Sequence, residues 1–282
     1  MAVPPAKILL ATDLSARSDR ALDRTLDLRK LWGAEIAVVH ALEFQTWHRD
    51  TRSWRQEANR LEAIRRQVRR NYLGEGDDSR TTILIEQGAP EQVVLKAVQD
   101  LQTDLLVTGV ARDEPFSRMV LGNSASTLVR KAGCPVLVVR KHLRQPYRRI
   151  VVATDMSAYS AQALVYVRQS FPDAQVTVFH VAPSYLNEGE NYRQQACEQA
   201  RKDCEAFVSA TLGAEAAKAV KVAVDVGEVG WQLDEYVTET DSDLVVVGSH
   251  GRSHVLTTLF GTIASNIVES VSCDVLVWRD AA

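Results

Sequence analysis

The 282-residue sequence predicts an α/β fold with two copies of one domain, each a five-stranded parallel sheet with helices on both faces. Three observations lead to this prediction. The chain repeats itself with a period of about 140 residues, short β-branched runs alternate with longer helical stretches, and most of those runs are continuously apolar at their centres. Continuous apolar runs are typical of strands buried on both faces, and alternation with helices favours parallel pairing through right-handed crossovers.

In the first half, five short runs are predicted as strands, and apolar residues at helical spacing fill the intervals between them, for example Val93, Ala97 and Leu101. The predicted strands are Ile8 to Ala11, Glu35 to Ala41, Thr81 to Glu86, Leu105 to Thr108 and Val136 to Val139.

The second half repeats these elements. Three stretches align: KILLATDLSARSDRAL (7–22) with RIVVATDMSAYSAQAL (149–164), GAPEQVVLKAVQDLQTDLLVTG (88–109) with GEVGWQLDEYVTETDSDLVVVG (227–248), and GCPVLVVR (133–140) with SCDVLVWR (272–279). Such a period is the size of a domain rather than of a solenoid unit. We place the domains at residues 1–143 and 147–282, joined within the charged, proline-containing stretch KHLRQPYRR.

Composition and charge favour a folded cytoplasmic protein. The chain is 46% hydrophobic and 24% charged, the balance of a soluble globular protein, and no stretch has the length of a secretion signal or a membrane span. The net charge of −3 hides an asymmetry, because residues 1–141 carry +4 and residues 142–282 carry −7. The two halves are therefore expected to present different surfaces. The four cysteines lack metal-ligand spacing and are expected to be reduced.

Two stretches of the second half are candidates for a ligand site, GSHGRSHVLTTLFGT (248–262) and ATDMS (153–157), which follow the predicted fourth and first strands. In open parallel sheets, ligands bind beyond the carboxyl ends of the strands, where strand order reverses. Glycines let backbone amides approach a phosphate, and Gly261 with Thr262 opens a helix whose N–H groups favour an anion. Asp155 lies too close to those amides to assist with phosphate and is expected to face a ribose, a base or a metal ion.

A simpler interpretation is open as well. A glycine after a buried strand commonly forms a tight turn, and a serine or threonine at a helix start commonly acts as a cap.

Taken in order and found twice, these motifs resemble the universal stress protein family. The resemblance rests on ATD-x-S after the first strand, on VVH (38–40) and VFH (178–180) in the second, on G-x2-G-x9-G-[ST] after the fourth and on the closing GCPVLVVR. It implies Rossmann-like domains of strand order 3-2-1-4-5, and a family divided into members that bind ATP and members that do not. In the second half it implies ATP or another adenine nucleotide, with or without Mg²⁺. The implied site consists of Asp155, Val181 beside the adenine, Gly248, His250 within the motif, Gly251, Gly261 and Thr262.

The first half departs from this pattern. Arg112 stands where the second half has Gly251, and Asn123 stands where it has Thr262. The bulk of Arg112 occupies space that a backbone would need, and the carboxylates of residues 113–114 repel polyphosphate. We therefore predict a weak or absent ATP site in the first half.

Other polar residues are interpreted as structural. His40 and His180 end equivalent strands and are expected to be hydrogen-bonded structural histidines. The arginine-rich stretch 47–76 is expected to be a packed helix with a solvated arginine face rather than a nucleic-acid surface. Its apolar stripe consists of Trp54, Ala58, Leu61, Ile64, Val68 and Tyr72.

These observations predict a cytoplasmic stress-response protein whose second half binds an adenine nucleotide for regulation and whose first half is structural or partner-facing. The resemblance also implies that the fifth strands pair edge to edge, so Val136 to Val139 and Val275 to Trp278 are candidates for the contact between the halves, which would cover exposed sheet edges. No catalytic residue and no metal ligand are assigned. Two alternatives stay open, a weak ATPase in which Asp155 places Mg²⁺ or water, and a scaffold without nucleotide. A protein partner and a homodimer are left open, whereas a membrane or nucleic acid is not expected as a partner.

Overall fold

The computed structural model describes residues 4–15, 18–42, 62–70, 81–110, 123–142, 145–183, 190–249 and 261–280. Ten strands lie within these ranges and form one sheet. They are β1 (Lys7–Ala11), β2 (Glu35–Leu42), β3 (Thr81–Gln87), β4 (Leu105–Gly109), β5 (Val136–Val139), β6 (Arg149–Ala153), β7 (Gln175–Ala182), β8 (Val220–Val226), β9 (Leu244–Gly248) and β10 (Asp274–Trp278).

The described helices alternate with these strands, as the sequence predicts. They are α1 (Asp19–Trp32), α2 (62–70), α3 (Pro90–Asp100), α4 (Asn123–Lys131), α5 (Ala158–Ser170), α6 (Glu190–Leu212), α7 (Ala214–Ala217), α8 (Val229–Glu239) and α9 (Thr262–Ser270). Among the described residues, no helix is long and apolar enough to cross a membrane.

Strand order across the sheet is β3-β2-β1-β4-β5-β10-β9-β6-β7-β8. Each half therefore has the order 3-2-1-4-5, with parallel pairing inside the half, which confirms the predicted fold class. The halves meet through β5 and β10, which pair antiparallel with Val275 opposite Val138 and Val277 opposite Val136. The predicted pairing of the fifth strands is thus confirmed. The exact domain limits, 1–143 and 147–282, stay a prediction.

The sheet is covered on both faces, and successive strand residues alternate between two cores. Ile8 and Leu10 pack on one face, and Leu9 packs on the other. The first face, here called the α5 face, holds buried residues of α1, α2, α5 and α6: Leu22, Val68, Leu164 and Val208. The second, the α9 face, holds buried residues of α3, α4, α8 and α9: Val94, Leu128, Leu233 and Ile267.

The seam between the halves contains a buried carboxylate at the start of β10. Asp274 is fully buried, and it accepts hydrogen bonds from the backbone N–H groups of Arg140 (2.7 Å) and Lys141 (3.0 Å) and from the Tyr147 hydroxyl (2.7 Å). The Arg24 guanidinium lies 3.6 Å from its second oxygen and 3.8 Å from the centre of the Tyr147 ring. Burial raises the pKa of Tyr147 well above its ordinary value, so the phenol stays a proton donor.

Two arginines cross this seam in opposite directions. Arg140, which follows β5, donates to the backbone carbonyl of Val268 in α9. Arg279, which follows β10, donates to the carbonyls of Val129 in α4 and Ala132 after it, the latter at 2.7 Å. A cation at the carboxyl end of a helix complements the helix dipole, so each half caps a helix of the other.

Helix α2 confirms part of the prediction for the arginine-rich stretch. Val68 is completely buried and Ile64 packs against the same core, whereas Arg65, Arg66 and Arg70 are exposed. The remaining positions of the predicted stripe lie outside the described residues.

Candidate functional site

The carboxyl ends of β6 and β9 lie side by side at the centre of the second half. Ala153, the last residue of β6, is paired with Val247, the penultimate residue of β9. From β6 the chain continues into α5 on one face of the sheet, and α9, which precedes β10, packs on the other face. The two strand ends therefore lie at the point where strand order reverses, as the sequence predicts.

Asp155 is held by the turn that joins β6 to α5. Its Oδ1 atom accepts from the backbone N–H of Ser157 at 3.0 Å and from the Ser160 hydroxyl at 2.6 Å. Ser157 caps α5 through its own hydroxyl, and Met156 adopts a left-handed backbone with φ of 60°. These contacts fix the carboxylate before any ligand arrives, which is the preorganisation that a ribose-binding or base-binding group requires.

The first half builds the same turn around Asp13. Its Oδ1 accepts from the Ser15 backbone N–H at 2.9 Å, from the Ser15 hydroxyl at 2.7 Å and from the Ser18 hydroxyl. Partial burial raises the pKa of Asp13, but the hydrogen bonds from Ser18 and Ser15 outweigh burial, so its pKa lies below the ordinary 3.8. The aspartate turn, to which the resemblance assigns the nucleoside, is therefore built in the same way in both halves.

The stretch 248–262, here called the glycine segment, has both of its described ends beside the carboxyl end of β9. Ser249, fully buried directly after Gly248, donates its N–H to the carbonyl of Trp278 at 2.8 Å. The Ser249 carbonyl accepts the N–H of Gly261 at 3.1 Å. These two hydrogen bonds hold both ends of the glycine segment in place.

Gly261 is the residue that precedes α9. Its backbone (φ −69°, ψ 143°) is extended and accessible to any residue, and an added Cβ would lie 3.7 Å from the nearest described atom, the carbonyl oxygen of Ser249. Gly261 has no side chain with which to accept from the first N–H groups of α9. Within the described structure, a tight turn therefore does not explain this glycine.

Val181 and His180 lie near the end of β7, beside β6. Val181 packs on the α9 face, on the same side of the sheet as Gly261 and α9. The His180 Nδ1 atom lies 2.8 Å from the carbonyl oxygen of Thr154, and His40 makes the same contact with Thr12 at 2.9 Å in the first half. Because a carbonyl only accepts, Nδ1 carries the proton in both, which confirms the prediction of hydrogen-bonded structural histidines.

Several predicted site residues lie outside the described residues. These are His250, Gly251 and the Thr262 side chain in the second half, and in the first half residues 111–122, which include Arg112, together with the Asn123 side chain. The structure places four of the predicted site residues near the carboxyl ends of β6, β7 and β9: Asp155, Val181, Gly248 and Gly261. Thr262 begins α9.

Two contributors to this edge were missed by sequence reasoning, Ser160 and Ser249. The repeat aligns Ser160 with Ser18, and both donate to the aspartate of their turn, so their identity in the two halves was an available signal. Ser249 acts through its backbone, for which the sequence offers no signal.

Three of the four cysteines are buried, and Cys197 is half-buried. No cluster of three or more His, Cys, Asp or Glu side chains suited to a metal occurs in the described ranges. The four cysteines are free thiols, as predicted, and burial raises the pKa of Cys134 and of Cys273 to about 12.

Comparison with known proteins agrees with this architecture. The model of the universal stress protein family matches the chain twice, over residues 5–140 and 146–279. A universal stress protein of Thermus aquaticus is 29% identical over 133 residues, which cover 47% of this chain and 97% of that protein. Another, MJ0531 of Methanocaldococcus jannaschii, is 25% identical over 144 residues, covering 48% of this chain and 82% of its own length. Each of these relatives thus corresponds to one half of the chain.

Solved structures match the whole chain. A universal stress protein of Archaeoglobus fulgidus superposes with a TM-score of 0.73 at 19% identity, covering 97% of this chain and 98% of that one. A functionally unknown protein, PA1789 of Pseudomonas aeruginosa, superposes with a TM-score of 0.69 at 15% identity, covering 98% and 93%. These likenesses show a shared fold. Together with the double family match, they show that this chain belongs to the universal stress protein family and carries the family's domain twice.

Proposed function

We propose that the second half binds an adenine nucleotide, most simply ATP, and that its occupancy regulates a cytoplasmic stress response, with the first half acting as a structural or partner-facing unit. The observation that carries this proposal is Gly261, a glycine that the described fold does not require, at the amino terminus of a nine-residue helix. A helix amino terminus whose capping residue has no side chain, located at a topological switch point, favours a phosphate group.

The charge distribution orients the nucleotide. Asp155 is fixed at the end of β6, and a carboxylate there disfavours phosphate while it accepts hydrogen bonds from ribose hydroxyls. The phosphates are therefore assigned to the α9 side and the ribose to the Asp155 side. Val181 lies on β7, the strand next to β6, and packs on the α9 face of the sheet. It supplies an apolar surface for the base.

The two halves differ at the phosphate end. Both keep the aspartate turn, and both keep a glycine as the last residue of the fourth strand, Gly109 in β4 and Gly248 in β9. Where the second half has Gly251 and Gly261–Thr262, the first half has Arg112 and Gly122–Asn123. We therefore propose that only the second half binds nucleotide tightly.

The test is calorimetric titration of Mg-ATP into the intact protein and into Gly251→Arg, which copies Arg112 into the second half. We expect one site per chain, with binding lost in the variant. Gly133→Arg is the matched control, because Gly133 is exposed ahead of β5 and a Cβ there meets no atom within 4 Å. Absence of binding to the intact protein, or equal binding by Gly251→Arg, would overturn the proposal in favour of a scaffold without nucleotide.

A further inference from the structure

The outer surface of α8 and α9 combines apolar and acidic side chains. Trp231 and Ile263 are 65% and 58% exposed, and Glu235, Glu239 and Glu269 are exposed on the same two helices. We call these five residues the acidic patch. Residues 229–239 and 262–270 contain neither lysine nor arginine. The helices lie side by side, because the Asn266 side chain of α9 donates at 2.7 Å to Glu228, the cap of α8.

The first half has the same pair of helices with a different surface. Four of the five positions differ: the aligned repeat has Gln92 for Trp231, Lys96 for Glu235, Ser124 for Ile263 and Arg130 for Glu269. The fifth is acidic in both halves, because Asp100 aligns with Glu239. Both halves bury the same layer beneath these positions, including Val98 and Leu128 in one and Val237 and Ile267 in the other. The acidic patch is therefore a property of the second half rather than of the fold.

A complementary surface lies on α2 of the first half. Arg65, Arg66, Arg69 and Arg70 are exposed on this helix, and we call them the basic patch. The buried Val68 of α2 and the buried Val208 of α6 occupy equivalent places on the α5 face. That alignment sets Glu205, Ala206, Ser209 and Ala210 opposite the four arginines, so the basic patch belongs to the first half alone.

The two patches face away from each other in one molecule. Helix α2 packs on the α5 face of the first half, whereas α8 and α9 pack on the α9 face of the second half. A ten-stranded sheet separates them. The acidic patch of one chain can therefore meet a basic patch only on another chain.

We propose that the acidic patch binds the basic patch of a second copy of this chain. Exposed ion pairs contribute little singly, but several together select orientation and partner. The contact area comes from Trp231 and Ile263, and an arginine stacks favourably on an indole ring. Each chain supplies both patches, so the acidic patch of one copy is able to bind the basic patch of another. This inference does not depend on nucleotide binding.

The test is sedimentation velocity of the full chain at about 20 mM and about 500 mM salt, since the screening length shortens several-fold between them. We expect concentration-dependent association at low salt and a 31.3 kDa monomer at high salt. Two double variants replace patch residues with the residues found at the equivalent positions of the other half. The first combines Arg65→Glu with Arg66→Ala, and the second combines Glu235→Lys with Glu269→Arg. Each is expected to raise the dissociation constant at least about tenfold while thermal unfolding stays unchanged.

Mixing the two variants gives the decisive measurement. Each alone is expected to be a monomer, but the first retains an acidic patch and the second a basic patch, so the mixture should form a 1:1 complex. A chain that stays monomeric at low salt up to about 100 µM overturns the proposal, as does association that survives both sets of substitutions. Variants that fail to complement each other in the mixture also overturn it.

Discussion

At the scale of one residue, folding and ligand binding favour different side chains at position 261. The backbone conformation of Gly261 is the one that helix-capping residues adopt, and Ser, Thr, Asp or Asn in that position would stabilise α9. The chain instead has the residue that exposes the helix amino terminus most fully. This exchange is expected where a ligand, rather than a side chain, satisfies the first N–H groups.

Gly261→Asp is accordingly expected to keep or raise stability while it abolishes ATP binding. The introduced aspartate caps α9, which is worth a few tenths of a kcal/mol over glycine, and places a carboxylate where phosphate is proposed to lie. Thermal unfolding and Mg-ATP titration of the same sample test both effects. If Gly261→Asp binds ATP like the parent, the phosphate lies elsewhere.

Asp13 makes a prediction about pH. Hydrogen bonds from Ser18 and Ser15 place its folded pKa below the ordinary 3.8, so they stabilise the fold above about pH 4, and this contribution is lost as pH falls through the lowered pKa. Ser18→Ala should raise the pKa of Asp13 and flatten the loss of stability between about pH 4 and pH 2.

Urea unfolding at several pH values and NMR titration of the carboxyl group measure both effects. The matched control is Ser209→Ala, at an exposed position of α6. If the free energy of unfolding fell equally steeply below about pH 4 in the parent and in Ser18→Ala, this account of Asp13 would be contradicted.

Sequence reasoning located the candidate site as far as local motifs allow. Asp155 and Gly261 were found because each belongs to a short repeated motif next to a strand end. Ser249 was not found, because its contribution is two backbone hydrogen bonds to residues far along the chain, Gly261 and Trp278.

At the scale of elements, the seam between β5 and β10 contains one fully buried carboxylate, that of Asp274. Three donors converge on Asp274, from Arg140, Lys141 and Tyr147, and the Arg24 guanidinium lies nearby. These groups reach the carboxylate from α1, from the end of β5 and from the connection before β6. Removal of the carboxylate would leave buried donors without an acceptor, which is more costly than the loss of a surface pair.

Asp274→Ala is expected to lower the free energy of unfolding by about 3–5 kcal/mol. Asp173→Ala, at an exposed position after α5, should change it by less than about 0.5 kcal/mol. Urea denaturation at neutral pH measures both. Equal destabilisation by the two substitutions would show that the network contributes no net stability.

The strands were predictable to within one residue at each end in the first half. The run Val136 to Val139 coincides with β5, and Leu105 to Thr108 gains only Gly109. Parallel, doubly covered strands leave a clear apolar signal. The Asp274 network left none, because Tyr147 and Asp274 are 127 positions apart. Asp274 lies within the repeated stretch SCDVLVWR, but it aligns there with Pro135, so the repeat carries no signal for a carboxylate.

At the scale of the whole molecule, a continuous ten-stranded sheet and reciprocal arginine caps couple the two halves. We expect a single calorimetric unfolding transition whose van't Hoff and calorimetric enthalpies agree. Mg-ATP should move the entire transition to higher temperature, although the proposed site lies in the second half alone. Two resolved transitions, with only one sensitive to nucleotide, would contradict this coupling.

The antiparallel join of β5 to β10 also bears on how such a chain diverges. If each half were a separate polypeptide and paired with its own copy, every substitution would be introduced on both sides of the join at once. Because the two halves belong to one chain, each half always pairs with the other, and a substitution in one half is not repeated in its partner. One half can therefore lose a motif or change the charge of a helix while the other half keeps it. The different glycine segments and the oppositely charged helices of the two halves are the kind of specialisation that a covalently linked pair permits.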